Sequence, residues 1–200
     1  MAPLSSFSFK EDTKAYIKAD KELEHRMNTK ALLVIDLQND YFERGKFPLY
    51  NTEQMLNQVK QAILLANEQQ VTVIHVQHIA DASMGIAPFF NEGTEGANIH
   101  EEILAAAPNA NIVVKQFADS FEQTNLEALL SELAIKELLI CGMMTQNCVT
   151  HTAISKAAEK YQVSVLMDAT TTVDEMIHNI ALHALSTRVS LETTAQALQS

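Results

Sequence analysis

Three polar residues stand at or just beyond the ends of short apolar runs, where their side chains could do chemistry. Asp36 ends "ALLVID", Lys115 ends "NIVVK", and Cys148 follows "ELLICG" after a short polar stretch. Gathered at one edge of a sheet, a carboxylate, an ammonium and a thiol form a coherent set. A base and a cation beside a thiol activate it as a nucleophile. If Cys148 opens a helix, the backbone N–H groups there favour the thiolate and could also hold an oxyanion. Each residue has a structural reading too. Asp36 could cap the loop after its strand, Lys115 could be a solvated strand end, and Cys148 could be a small buried hydrophobe. Spacing alone leaves both sets of readings open.

Metal and nucleotide chemistry find less support. Cys141 and Cys148 are the two cysteines of the chain, and the six residues between them exceed the two to four of a zinc knuckle. Two cysteines in a chain of 200 residues do not make a disulfide scaffold. His75 and His78 are three apart on an expected strand, so they point to opposite faces. His178 and His183 are five apart on an expected helix, which also separates them. The chain contains neither a G-x-G-x-x-G motif nor a P-loop, so no metal and no cofactor is expected.

The elements that must position these residues can be read from hydrophobic pattern. Short apolar runs at 31–36, 71–78, 111–115, 137–142 and 163–169 predict five buried strands. Helical patterns lie between them. Residues 52–69 put Met55, Val59, Ile63 and Ala66 on one face. Residues 124–135 and 172–187 open with Thr124/Glu127 and Thr172/Glu175 at capping-box spacing. Residues 147–161 place Val149, Ala153, Ala157 and Tyr161 four apart, which predicts one helix. A short strand near Val189 and a terminal helix from Glu192 would follow. Strand–helix alternation predicts an α/β fold in three layers, α/β/α, around a central, mostly parallel sheet of five or six strands. Residues 1–28 are predicted as a helical extension, and residues 29–200 as a single domain. Residues 79–98 hold three of the five glycines and Phe89–Phe90, and a loop of that length is usually functional or mobile.

Composition excludes some function classes. Hydrophobic residues make up 47% of the chain, enough for a substantial core, and the formal net charge is −11. No basic face offers itself to nucleic acid. No stretch approaches eighteen apolar residues, and the start lacks the apolar run of a signal peptide, so a cytoplasmic protein without membrane contact is expected.

Taken together, "ALLVIDLQNDYF", "VVKQFADSFEQTNLEALL" and "LLICGMMTQNCVTHTAISKAAEKYQVSVLMDAT" resemble three ordered segments of the isochorismatase-like cysteine hydrolases. The resemblance spans roughly residues 30–198 and implies a Rossmann-like fold. By position it implies Asp36 as general acid/base, Lys115 as its cationic companion and Cys148 as nucleophile. It also implies a non-proline cis peptide at Met143–Met144, with the N–H groups of Met144 and Cys148 forming an oxyanion hole. Tyr41 sits where the family places an aromatic ring near the substrate, and Gln38, His78 and Phe121 are further candidates for the pocket wall. Phe89 and Phe90 could line the pocket or an interface between subunits, and His178 matches a familial histidine with a structural role. The chain departs from the nicotinamidase branch, which carries histidine metal ligands after the first strand; here "ERGKFPLYNTEQ" has none. The resemblance therefore implies cleavage of a C–N bond (amide, ureide or carbamoyl) of a small molecule through a thioester, without a metal, in a homo-oligomer (dimer or tetramer). The alternatives are an isochorismatase-type vinyl-ether hydrolase and a non-catalytic thiol redox or scaffold protein.

Overall fold

The structure, a computed structural model, describes residues 29–199. The extension predicted over residues 1–28 lies outside the described residues.

Six strands form one sheet: β1 (Lys30–Ile35), β2 (Thr72–His78), β3 (Asn111–Lys115), β4 (Glu137–Met143), β5 (Gln162–Thr171) and β6 (Ser190–Glu192). Their spatial order is β3-β2-β1-β4-β5-β6, and every neighbouring pair is parallel. The central strand explains why its sequence is apolar at every position. From Ala31 to Ile35 each side chain is buried, with Leu32 and Val34 in one core and Ala31, Leu33 and Ile35 in the other. Side chains alternate across the sheet, so a strand covered on both faces must be apolar throughout.

On the first face lie α1 (Thr52–Glu68), α2 (Glu101–Ala106) and, from the end of the chain, a helix over Thr194–Leu198. Met55, Val59, Ile63 and Ala66 of α1 are buried there, as the four-residue spacing predicts. On the opposite face lie α3 (Leu126–Glu132), α4 (Thr150–Ala153) and α5 (Glu175–Leu185). The terminal helix, α6 in this numbering, begins two residues after the expected Glu192 and has a full capping box from Thr193 and Gln196.

Three expectations about helices are corrected. The single helix predicted over 147–161 is broken into a π-helical turn (Thr145–Val149), α4, and a 3-10 turn (Lys156–Lys160). Ser155 supplies the break: its backbone is extended, and its hydroxyl accepts from the Ala157 N–H to start a new turn. The other two concern caps. Asp174 caps α5 by accepting from the Ile177 N–H at 2.8 Å, while the Thr172 hydroxyl turns to Gln146. At α3 the Thr124 hydroxyl accepts from the Leu126 N–H, and Glu127 pairs with Lys160 instead of closing a box.

Candidate active site

In parallel sheets the strand order reverses at a switch point, and the crevice beyond the carboxyl ends there is the usual ligand site. Here that point lies between β1 and β4, which carry Asp36 and the turn to Cys148. The two strands approach closely at their ends, where Ile35 is in register with Gly142. Gly142 has φ +115°, and a Cβ on it would lie 2.0 Å from the Ile35 carbonyl oxygen. Only glycine fits both demands. Asp36 itself has φ +54°, in the left-handed region that aspartate visits more readily than most residues. Its N–H still donates to Val76 at 2.9 Å, and its carbonyl accepts from Gln38 at 2.8 Å, so the turn is held on both sides.

Lys115 reaches the same point from the end of β3, the edge strand, alongside His78 of β2 with which it is in register. Its ammonium lies within hydrogen-bond reach of four acceptors: Asp36 Oδ2 at 2.9 Å, His78 Nδ1 at 3.0 Å, the Phe117 carbonyl at 3.1 Å and Cys148 Sγ at 3.2 Å. Asp36, Lys115 and Cys148 are 0%, 1% and 2% exposed, so water screens these contacts little. Donor atoms of Asp36, His78 and Cys148 lie within 4.8 Å of one another, a spacing that could hold a metal ion. The Lys115 ammonium lies within hydrogen-bond reach of all three and supplies a cation at this centre.

The charges settle accordingly. Burial works against the Lys115 cation, but Asp36 and Cys148 outweigh it and hold its pKa above the ordinary value. Burial first, and Asp36 second, push the Cys148 thiol up, with Lys115 opposing in part. A depressed thiol was expected from a helix start. Cys148 instead lies inside the π-helical turn, among apolar neighbours and beside a carboxylate, and desolvation dominates. Asp36 Oδ1 is buried with no hydrogen-bond partner among the described residues, so one oxygen of the carboxylate has a free lone pair. The Met143–Met144 peptide bond, immediately before the turn, is cis.

The remaining candidates divide. Tyr41 is buried, and Asp36 and Cys148 both add to burial in raising its phenol pKa, so its ring borders the cluster. Phe90 and Phe89 pack on it at centroid distances of 4.5 and 5.4 Å, which joins the long loop to the site wall. His78 meets Lys115 directly. Gln38, expected on the pocket wall, is instead a brace. Its amide donates to the carbonyls of His78 and Ala97 and accepts from the His78 N–H, all within 2.8 Å. Phe121 stacks on Tyr161 at 6.3 Å, against the apolar core that contains Cys148. His178 bonds Thr145 of the π-helical turn at 2.9 Å.

Two contributors escaped the sequence. One is the Phe117 carbonyl, invisible because any residue could supply it. The other is Asp40, 2% exposed, whose carboxylate accepts from the N–H groups of Lys46 and Phe90 and so anchors the Phe89–Phe90 segment. "LQND" right after an apolar strand was the available signal, but a loop aspartate ordinarily faces solvent.

Comparison with known proteins agrees with this architecture. The isochorismatase domain profile matches residues 30–197. The isochorismatase family protein YddQ of Bacillus subtilis is 38% identical over 151 residues, covering 76% of this chain and 82% of that protein. Maleamate amidohydrolase of Pseudomonas putida is 27% identical over 150 residues, covering 69% and 70%. The crystal structure of an isochorismatase-like hydrolase from Alkaliphilus metalliredigens superposes with a TM-score of 0.77 at 26% identity, covering 86% of this chain and 98% of that one. With its profile match across nearly the whole described chain and a parallel six-stranded sheet, this protein belongs to the isochorismatase family.

Proposed function

We propose that the protein is a cysteine hydrolase that cleaves a C–N bond of a small amide, ureide or carbamoyl compound through a thioester on Cys148. One observation carries this: the buried Lys115 ammonium lies within hydrogen-bond reach of both the Asp36 carboxylate and the Cys148 sulfur. The amidohydrolase among its relatives is consistent with that chemistry.

Asp36 takes the thiol proton, and the thiolate attacks the carbonyl carbon. The carbonyl oxygen becomes an oxyanion, held by the Met144 and Cys148 N–H groups; one such donor is worth about 3–4 kcal/mol of barrier. Asp36 returns its proton to the leaving amine as the C–N bond breaks. Water then attacks the thioester while Asp36 takes one of its protons, and the departing sulfur is reprotonated. Lys115 stays charged throughout and offsets whichever partner carries the negative charge. Tyr41, with Phe89 and Phe90 behind it, borders the substrate. We place the protein in the cytoplasm as a homo-oligomer; no helix among the described residues is long and apolar enough to cross a membrane.

A redox role fits the geometry less well. Cys141 belongs to the core on one face of the sheet and Cys148 to the core on the other, so the sheet stands between the two sulfurs. The test is ammonia release from a panel of small amides, ureides and carbamoyl compounds. The wild type should turn over at least one, and Cys148→Ala none; undiminished turnover in that variant would overturn the assignment.

A further inference from the structure

The Lys115 ammonium has three N–H groups but four acceptors within 3.2 Å: Asp36 Oδ2, His78 Nδ1, the Phe117 carbonyl and Cys148 Sγ. One acceptor must always go without. The Phe117 carbonyl is fixed in the chain. His78 is held at its backbone, where its N–H and its C=O are both bound by the Gln38 side chain. Two of the three N–H groups therefore have stationary acceptors, and one remains for Asp36 and Cys148 to share.

We propose that His78 is a positioning residue that occupies one Lys115 N–H, so that the cation serves Asp36 or Cys148 alternately and not both together. With the proton on sulfur, the shared N–H faces the carboxylate. When the proton moves from Cys148 to Asp36, the same N–H turns to the thiolate. The proton count of the cluster is unchanged, and the negative charge is always the group that has the N–H. Without the His78 acceptor, two N–H groups would be available. Lys115 would then bond carboxylate and thiolate at once, which stabilises the thiolate at rest and weakens it as a nucleophile.

The contact requires His78 to be neutral with its lone pair on Nδ1, which places the ring proton on Nε2. Burial, and then Lys115, lower the pKa of His78, in keeping with a neutral ring, while Asp36 pulls weakly the other way. The titratable groups near the cluster are Asp36, Asp40 and Tyr41 after β1, Lys115 at the end of β3 and Cys148 in the π-helical turn. Phe90, 5.8 Å from the His78 ring between centroids, is the aromatic neighbour of His78.

The inference rests on the hydrolase reading for its consequence in turnover, but its direct test needs no substrate. Asn and Leu have nearly the same shape, and Asn keeps an acceptor oxygen close to where Nδ1 stands. The pH dependence of Cys148 alkylation by iodoacetamide should be measured for the wild type, His78→Asn and His78→Leu, all on a Cys141→Ala background, with thermal melts to confirm folding. We expect the midpoint of His78→Leu to fall by about one pH unit, a tenfold gain in thiolate at a given pH, and His78→Asn to stay near the wild type. Ammonia release should drop in His78→Leu and recover in His78→Asn. Equal midpoints in Leu and Asn, or an upward shift in Leu, would overturn the inference. Should no amide be turned over while the midpoints shift as expected, the hydrolase reading fails and the role of His78 stands.

Discussion

The Lys115–Asp36 pair spans 2.9 Å with neither side chain exposed, so its energetics can be probed by a double-mutant cycle. At an effective dielectric of about 20 the attraction is roughly 6 kcal/mol, offset in large part by the desolvation of both ions. Lys115→Met leaves the Asp36 carboxylate without its cation, and its Oδ1 already lacks a hydrogen-bond partner among the described residues. An uncompensated buried charge of this kind costs about 3–5 kcal/mol, or a fall in Tm of roughly 6–20 °C for a domain of this size. Asp36→Asn is gentler, because the ammonium keeps His78, Phe117 and Cys148 as acceptors. Its expected cost is about 1–3 kcal/mol. The double variant should be at least about 1 kcal/mol more stable than the sum of the single losses, since neither ion is left alone. Urea denaturation of the four proteins at pH 7, with m-values compared, measures all three numbers. Additivity within about 0.5 kcal/mol, or a larger loss for Asp36→Asn than for Lys115→Met, would refute the picture of a carboxylate that depends on one cation.

Two further outcomes can be checked on the folded protein. Gly142→Ala forces a Cβ to within 2.0 Å of the Ile35 carbonyl oxygen at a positive φ, and should cost about 3 kcal/mol or more in a thermal melt; a wild-type Tm would show that β1 and β4 can separate freely beside Asp36. Burial raises the pKa of both Cys141 and Cys148 above that of an unfolded thiol, about 8.5. Their contribution to stability is present below that pH and lost above it, by up to about 1.4 kcal/mol per pH unit for each thiol. Urea curves at pH 7.5, 8.5 and 9.5 should show this decline, and Cys141→Ala should roughly halve it; an unchanged slope would count against burial as the cause.

Much of the fold was legible because it depends on local pattern. Apolar runs bounded by polar residues marked the five long strands, and the four-residue spacing of α1 marked its buried face. The places where the pattern misled are those where side-chain hydrogen bonds decide. Ser155 interrupts an otherwise helical spacing with its own hydroxyl, and Asp174 wins the cap of α5 from Thr172 because it sits next to the first helical residue. Gln38 read as a pocket residue from its place after β1, yet its amide is engaged with the main chain of β2 and the long loop.

By itself, the sequence determined which groups stand at the strand ends: a carboxylate, an ammonium and a thiol, separated by 79 and 33 residues. Their order along the chain also carried the family likeness. Tertiary structure alone decided that the three meet, because the strand order puts β3, β2, β1 and β4 side by side and aligns their carboxyl ends. It also decided the direction in which the Cys148 pKa moves. Helix position by itself argues for a thiolate, but desolvation depends on which distant residues surround the sulfur, and those neighbours exist only in the folded sheet.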